Sequence, residues 1–222
     1  FAVQMDYNPR KKFIIDLKGI SIINISIKKI IDEFEKNILK GEGIEFFCDF
    51  GPRDCEAAPT ETKKFDTEPF TKKVRLGNIM ARIRMIILFD LAKQLNAMVC
   101  GTENKSEKLL GYFTRFGDAA SDIEPISHLY KTQVLQLAKY LKVPKKIIQQ
   151  SPTAGLWDGQ TDESEFGFTY EEADQVLYLT HDPTFVKTSV GKRGQDINIV
   201  KKNFPNAEKI IKRSLNNEFK LK

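Results

Sequence analysis

The residues best suited to chemistry begin where an apolar run, 97–100, breaks at a Gly turn. Thr102 follows that turn, so its hydroxyl and the nearby backbone N–H groups can meet a phosphate or a sugar. Glu107 lies five residues further on and can reach the same point. A carboxylate beside a phosphate site suits Mg²⁺, which takes one or two carboxylates together with phosphate oxygens. The spacing therefore predicts a nucleotide site with a metal ligand.

Charged residues of both signs follow in the same stretch. Arg115 and Lys131 supply positive charge for phosphates or for a carboxylate. Asp118 and Asp122 can accept hydrogen bonds from ribose hydroxyls or from an amide. Taken alone, Glu107, Arg115 or Asp122 is better explained as a surface charge. Their grouping beside a Gly-Thr turn and a Gly-Asp turn favours a ligand site.

Several common sites are excluded by what the sequence lacks. It contains neither GxGxxG nor GxxxxGK[ST], the two commonest nucleotide fingerprints, and it contains no Ser-Gly-Gly run. Two histidines, His128 and His181, are too few for a histidine-based zinc site. Three unevenly placed cysteines do not form a disulfide framework, which favours an intracellular, cytoplasmic setting.

The elements that must position these residues alternate between strands and helices. This alternation predicts an α/β fold with a parallel sheet and right-handed crossovers. The first residues resemble the end of a helix, and an N-cap is predicted at Asn78. Strands are predicted at 13–17 and 97–100, and helices at 24–39, 78–95, 131–141 and from Thr169 to about residue 179. Irregular segments are predicted at 41–73, as a loop or insertion, and at 151–167, as a lid or binding loop.

The length of 222 residues suits a single domain, 1–222, with a sizeable core. The formal net charge of +5 is compatible with nucleic-acid binding, but charges of both signs are interspersed, which favours an ordinary solvated surface. No RNA-binding motif or basic recognition helix is present. No apolar run approaches the ~20 residues needed to span a bilayer. We therefore expect neither nucleic acid nor membrane as a partner.

Three motifs carry a resemblance to a known family. GNIMARIRM at 77–85, GTENKSEKLLGYFTRFGDAASDIEPISHLYKTQV at 101–134, and PTAGLWDGQTDESEFGFTYEEAD at 152–174 closely resemble ammonia-dependent NAD synthetase. The resemblance implies a Rossmann-like parallel sheet of the adenine-nucleotide alpha-hydrolase (ATP pyrophosphatase) type, in a homodimer. It also implies the reaction of ATP, deamido-NAD and ammonia to NAD, AMP and diphosphate through an adenylated intermediate.

Eight site residues of the family have counterparts at matching positions in this sequence. The resemblance implies that Glu107 ligates Mg²⁺. It assigns one set to ATP (Thr102, Lys131 and Thr153) and another to deamido-NAD (Arg82, Arg115, Asp122 and Lys220). Arg115 stands where many members have Lys, and residues 219–220 stand where many have His-Lys.

Two departures from the family pattern bear on activity. The family's Ser-Gly-Gly-x-Asp-Ser loop, which cradles diphosphate and supplies a second metal ligand, is absent, as are the preceding strand and following helix. We expect the chain to begin downstream of it, and its loss to cost several orders of magnitude in rate. The segment 41–73 is also longer than the family's usual connection. The alternative is a catalytically impaired remnant that acts as a dinucleotide-binding or regulatory dimer.

Overall fold

The computed structural model describes residues 2–6, 22–37, 69–181 and 200–221, with side chains described within 25–36, 73–181 and 200–221. Two compact units make up the chain, Phe1–Arg84 and Met85–Lys222. The prediction of one domain stays a prediction. The strand predicted at 13–17 and the insertion up to residue 68 lie outside the described residues.

The first unit contains a pair of parallel strands followed by a helix. β1 (Ala2–Asp6) and β2 (Ile22–Ser26) pair in register, with Gln4 opposite Asn24. Helix α1 (Lys28–Asn37) follows directly. Its apolar stripe is anchored by Ile27 and Ile31, both fully buried. Parallel pairing agrees with the predicted α/β class, although the described sheet has two strands.

Two sequence predictions for this unit are wrong. The first residues form a strand and not the end of a helix. Residues 24–26, predicted as the first turn of a helix, belong to β2, because the β-branched Ile22, Ile23 and Ile25 suit a strand better. The helical spacing of the isoleucines therefore corresponds to a helix only from Ile27 onward.

Helix α2 (Pro69–Leu95) is 27 residues long and starts nine residues before the predicted N-cap. Asn78 is therefore an interior residue, and 69–73 are helical although they were predicted as loop. Proline suits the first helical position, where its missing N–H and fixed φ cost nothing. Gly77 is buried inside the helix and is tolerated there at a cost of about 1 kcal/mol.

The second unit is built mainly from helices. They are α3 (Lys105–Leu110), α4 (Lys131–Tyr140), α5 (Lys145–Ile148), α6 (Asp162–Phe166), α7 (Tyr170–His181) and α8 (Ala207–Asn217), and a 3₁₀ turn (Glu218–Leu221) ends the described chain. α4 and α7 lie within a residue or two of the predicted bounds. α6 is a correction, since the whole segment 151–167 was predicted to be irregular.

The core of this unit gathers around the side chain of Phe166, which is 1% exposed. Its ring stacks on Phe168 at 5.3 Å and meets Tyr112 and Tyr170 edge-on at 4.6 and 5.5 Å. Leu110, Ala173, Val176, Leu177, Val200, Ala207 and Ile210 complete the buried cluster. Helices α3, α7 and α8 thus share one apolar centre, and the candidate site lies on α3, α4 and the loops that flank them.

The strand predicted at 97–100 is reduced to one parallel bridge, between Cys100 and Ile123. Backbone hydrogen bonds extend this pairing on both sides, from Gly101 N to Ile123 O at 2.8 Å and from Asp122 N to Val99 O at 2.9 Å. Gly101 is required at this crossing, because a Cβ there would lie 2.6 Å from the Ser121 hydroxyl oxygen. The short pairing still fixes where the Gly-Thr turn begins.

Candidate functional site

Helix α3 is a short helix with both ends capped. At its start the Asn104 side chain accepts from Glu107 N at 3.0 Å, and Glu107 Oε2 accepts from Asn104 N at 3.1 Å. At its end Gly111 adopts a left-handed conformation (φ 64°), where a Cβ would lie 2.2 Å from the Asn217 Cβ. The reciprocal capping box fixes the Glu107 carboxylate on a six-residue helix that would be marginal alone.

Glu107 and Lys131, predicted from the sequence to bind Mg²⁺ and ATP, form an ion pair. Lys131 Nζ donates to Glu107 Oε1 at 3.0 Å, and the two side chains are 20% and 16% exposed. The Lys131 amine also lies 5.2 Å from the centre of the Tyr170 ring. The structure therefore brings together two of the predicted site residues, 24 positions apart, at a partly open surface.

Glu103 is a carboxylate in a very different environment, four residues before Glu107. Its residue is 6% exposed, and its Oε1 has no hydrogen-bond partner among the described residues. Burial, followed by the nearby charges of Asp118 and Glu107, raises the pKa of Glu103 to about 8. Glu103 is therefore largely protonated near neutral pH.

The loop between α3 and α4 uses two of the predicted carboxylates to bind backbone. Asp122 Oδ2 accepts from Val99 N at 2.7 Å, and Asp118 Oδ1 accepts from Thr114 N at 2.8 Å. Thr102, predicted to meet ATP, is exposed in the turn that precedes α3. Asp122 thus joins the loop to the strand end, and its predicted contact with deamido-NAD stays a prediction.

Arg115 and Phe116 lie at the tip of that loop. The Arg115 guanidinium is 5.2 Å from the centre of the Phe116 ring. Phe116 is 73% exposed and has a φ of 62°, a conformation uncommon for residues with a side chain. The sequence predicts that Phe116 packs in the core or in a lid, and its exposure shows that it does not pack in the core. Arg115 is half-buried, and its predicted role in substrate binding stays a prediction.

Lys220 reaches the carbonyl end of α3 from the 3₁₀ turn. Its Nζ donates to Gly111 O at 2.7 Å and to Phe113 O at 3.4 Å, and it lies 5.4 Å from the centre of the Phe113 ring. Burial lowers the pKa of Lys220. A cation at the C-terminal end of a helix is favourable. Lys220 therefore ties the tail to α3, beside the loop that carries Arg115.

Thr153 lies in an exposed segment held by local hydrogen bonds. Its hydroxyl accepts from Gly155 N at 3.1 Å, and Gln160 Oε1 accepts from Leu156 N at 2.8 Å. At the base of the segment Asp162 N donates to Pro152 O at 3.0 Å. The interpretation of this segment as a lid or binding loop stays a prediction.

Arg82 is the remaining site residue predicted from the sequence. Arg82 is exposed on α2 and belongs to the first unit. A cavity of about 520 Å³ lies between α4 and α7, lined by residues that include Thr132, Lys139 and Glu171. None of the predicted site residues lines it.

Three buried residues near the ion pair were not identified from the sequence. Ser106 and Asp174 connect α3, α4 and α7 by hydrogen bonds, and Tyr170 donates its hydroxyl to Asp162 Oδ2 at 2.9 Å. One signal was available: Asp174 falls within the apolar stripe of α7, beside Ala173 and Leu177. A carboxylate in that position needs a buried partner.

A metal site is limited by the donors at hand. Among the described residues no group of three or more His, Cys, Asp and Glu side chains is placed to hold a metal ion. Both oxygens of Glu107 already accept hydrogen bonds, one from Lys131 and one from Asn104. Glu107 can offer a single carboxylate to a cation whose other ligands are phosphate oxygens and water.

Within the described ranges no helix is long and apolar enough to cross a membrane.

A capped carboxylate paired with a lysine, just beyond a Gly-Thr strand end, is an arrangement suited to phosphate and cation binding. A family model described as NAD synthase matches residues 54–222. The chain therefore belongs to the NAD synthase family.

Curated relatives carry one shared description. The chain is 54% identical over 114 residues to the NH(3)-dependent NAD(+) synthetase of Fusobacterium nucleatum, covering 51% of this chain and 44% of that protein. It is 39% identical over 196 residues to that of Thermococcus sibiricus, covering 88% and 65%. The matched part therefore spans about two fifths to two thirds of these relatives.

Two solved structures are similar in fold. NMN synthetase from Francisella tularensis superposes with a TM-score of 0.61 at 32% identity, covering 92% of this chain and 65% of that one. NH3-dependent NAD synthetase from Campylobacter jejuni gives a TM-score of 0.55 at 27% identity, covering 100% and 75%. The chain thus has the fold of these synthetases.

Proposed function

We propose that this chain is an ammonia-dependent NAD synthetase, which amidates deamido-NAD at the expense of ATP. The Glu107–Lys131 ion pair beside Thr102 supports the proposal best, because it joins a cation for phosphate to a carboxylate for a metal in one partly open place. The similarity to proteins called NH(3)-dependent NAD(+) synthetase agrees with it. The complete fold that we propose is the Rossmann-like parallel sheet of the adenine-nucleotide alpha-hydrolases.

The proposed reaction has two steps that the residues must serve. An oxygen of the substrate carboxylate attacks the α-phosphorus of ATP, and the bond from that phosphorus to the diphosphate oxygen breaks. The nitrogen of ammonia then attacks the carbonyl carbon, the bond to AMP breaks, and a proton leaves the new amide nitrogen. The chemistry needs positioning and neutralisation of a highly charged leaving group more than it needs a nucleophile from the protein.

Each side chain in the site has a proposed task in those steps. Lys131 and Thr153 hold phosphate oxygens of ATP, and Thr102 orients the nucleotide at the strand end. Arg82, Arg115, Asp122 and Lys220 contact deamido-NAD. Glu107 is the residue that would ligate Mg²⁺, which when bound neutralises charge on the departing diphosphate.

We further propose a cytoplasmic homodimer as the working form. Helix α2 supports a partner surface, since Ile86 is 70% exposed and Phe89 is 38% exposed on it. Analytical ultracentrifugation at micromolar concentration checks this: a dimer is expected, and a species of monomer mass only would contradict it.

A second candidate function is NMN synthesis. The similarity in fold to the NMN synthetase of Francisella tularensis, at 32% identity, favours it. The amidation would be the same, but the acid would be a mononucleotide. The two candidates differ only in whether the site binds the adenylate half of the larger substrate favourably. An assay in which the two acids compete therefore distinguishes them.

The test is product formation by the 222-residue chain with ATP, Mg²⁺ and ammonium. Deamido-NAD and the corresponding acid mononucleotide are supplied together, and both amides and AMP are quantified by chromatography. We expect NAD and AMP in equal amounts, with the mononucleotide product lower by at least tenfold. Glu107→Gln serves as the control that removes the proposed metal ligand while keeping the shape of the side chain.

The other results have definite meanings. A preference for the mononucleotide would move the assignment to NMN synthesis. Binding of deamido-NAD by calorimetry, without any amide or AMP, would support the alternative of an impaired remnant that acts as a dinucleotide-binding or regulatory dimer. Binding of neither acid would contradict the proposed function.

A further inference from the structure

Helix α4, which carries Lys131, is only partly capped by its own side chains. Gln133 Oε1 accepts from Tyr130 N at 2.9 Å, but no acidic residue lies in the first turn of the helix. The first four N–H groups of a helix lack partners within it, and their dipoles favour a negative charge nearby. The N–H groups of Lys131 and Thr132 therefore depend on partners from elsewhere in the fold.

Asp174 on α7 supplies that missing charge. Its Oδ2 accepts from Thr132 N at 2.8 Å, and its Oδ1 accepts from the Ser106 hydroxyl. The Ser106 oxygen in turn accepts from Lys131 N at 2.8 Å. Asp174 is 5% exposed and Ser106 is fully buried, so the bond between them is shielded from water, while Asp174 and Thr132 also line the cavity between α4 and α7.

The same network fixes both members of the ion pair. Ser106 is the residue before Glu107 on α3, and Lys131 is the first residue of α4. Asp174 lies four residues after Tyr170 on α7, so the two side chains project from one face. Tyr170 lies beneath the Lys131 amine, at 5.2 Å from ring centre to Nζ, while Asp174 holds the backbone.

We infer that Asp174, acting through Ser106 and the first turn of α4, is a positioning residue for Lys131 and Glu107. It does not touch the substrate; it sets the distance and direction between the phosphate-binding amine and the metal-binding carboxylate. The inference rests on the proposed function for its catalytic consequence. Its geometric part is independent of that function.

The geometric part is tested by the reactivity of Lys131. Acylation by limiting acetic anhydride, read residue by residue by mass spectrometry, reports how well the amine is held. Asp174→Asn keeps the shape and removes the charge, and Glu171→Gln is the matched control, an exposed carboxylate on the same helix. We expect several-fold faster acylation of Lys131 in Asp174→Asn and in Ser106→Ala, with Lys139 unchanged in all variants.

The catalytic part is tested by the steady-state constants of the same variants. We expect Asp174→Asn to lower kcat/KM for ATP by about 10- to 100-fold, the range seen when a partner behind a ligand is removed. KM for deamido-NAD should stay the same, since the change acts on the phosphate side. A variant that only loses folded protein would lower both kcat/KM values equally and leave both KM values unchanged.

Each outcome decides one part. Wild-type acylation of Lys131 in both Asp174→Asn and Ser106→Ala, with only a lower melting temperature, would overturn the inference. If the wild-type chain makes no amide, the proposed function fails. Faster acylation would then still uphold the positioning role of Asp174, and unchanged acylation would overturn it.

Discussion

The two parts of the candidate ATP site are built in opposite ways. Glu107 and Lys131 are held by contacts that cross between α3, α4 and α7, and each side chain is about four fifths buried. Thr153 is exposed in a segment whose hydrogen bonds reach only a few residues along the chain. The first part is preorganised, and the second depends on its local turns.

This difference indicates that the two parts have different roles, one supplying fixed charges and the other a segment that can adjust around the nucleotide. Charged groups act best when they are fixed before the reaction, because no reorganisation is then needed as charge develops. A segment with few buried contacts is free to adjust around a nucleotide. Substitutions in the first part should therefore affect rate and stability strongly, and those in the second should affect ATP binding modestly.

The largest effect is expected from breaking the ion pair. Glu107→Gln and Lys131→Met should each lower kcat/KM for ATP by about 10²- to 10³-fold, since each removes a charge aimed at the phosphates. The double variant should cost less than the product of the two, because the residues act as a unit. Lys139→Met, an exposed lysine on the same helix, is the control. Full activity in Lys131→Met would contradict the account.

The buried carboxylate of Glu103 should respond to pH. Its pKa lies near 8 in the folded chain, against 4.5 in the unfolded one, so the folded state binds more protons between these values. The contribution of Glu103 to the free energy of unfolding is therefore fully present below pH 4.5 and is lost as pH rises to about 8. Glu103→Gln should stabilise the chain by up to about 3 kcal/mol at pH 7, and hardly at all at pH 4.

Urea unfolding at the two pH values measures this. Glu208→Gln is the control, because that side chain is 80% exposed. An equal change in the free energy of unfolding at both pH values would show that the carboxyl of Glu103 is not the group that titrates.

An intermediate effect is expected at Tyr170. Removing its hydroxyl in Tyr170→Phe takes the partner from Asp162, whose Oδ1 already has none within the described residues. The loss should be about 1–3 kcal/mol, the cost of a buried polar group left unpaired. Tyr178→Phe, on the same helix and 46% exposed, should change the free energy of unfolding by less than about 0.5 kcal/mol. Similar losses of unfolding free energy in both variants would show that the hydrogen bond from Tyr170 to Asp162 does not stabilise the chain.

The smallest effect is expected at Thr153. Thr153→Ala should raise KM for ATP by about two- to tenfold, equivalent to one ordinary hydrogen bond of 0.5–1.5 kcal/mol. The melting temperature should stay at the wild-type value, because the residue is exposed. A drop in melting temperature with no change in KM would place Thr153 among the structural residues and remove the contrast between the two parts.

Local rules in the sequence predicted a good share of this structure. The Thr169 hydroxyl accepts from Glu172 N at 3.2 Å at the start of α7, and α4 begins at Lys131 as its pattern indicated. Thr169 followed three positions later by Glu172 predicts a capping box, and its second half did not form, since the Glu172 carboxylate instead accepts from Asn206 N and Nδ2, both at 2.7 Å. A tertiary contact with Asn206 therefore replaced the local hydrogen bond that the pattern predicts for Glu172.

What the sequence could not predict depends on contacts between distant segments. The pairing of Glu107 with Lys131 spans 24 positions, and the bond from Ser106 to Asp174 spans 68. The periodicity at 131–141 predicts an inward-facing apolar stripe that includes Leu141, but Leu141 is 63% exposed, because periodicity shows a stripe and not what covers it. The motifs identified the candidate site residues, but they did not identify the residues that hold them in place.

The central claim is that Glu107 and Lys131 form a nucleotide-binding pair, and calorimetric titration of ATP with Mg²⁺ tests it most directly. Wild-type chain, Lys131→Met and Lys139→Met are titrated under the same conditions. The account predicts binding by the wild type and by Lys139→Met, with a Kd at least tenfold weaker in Lys131→Met. Equal affinity in all three, or no binding by the folded wild-type chain, would contradict it.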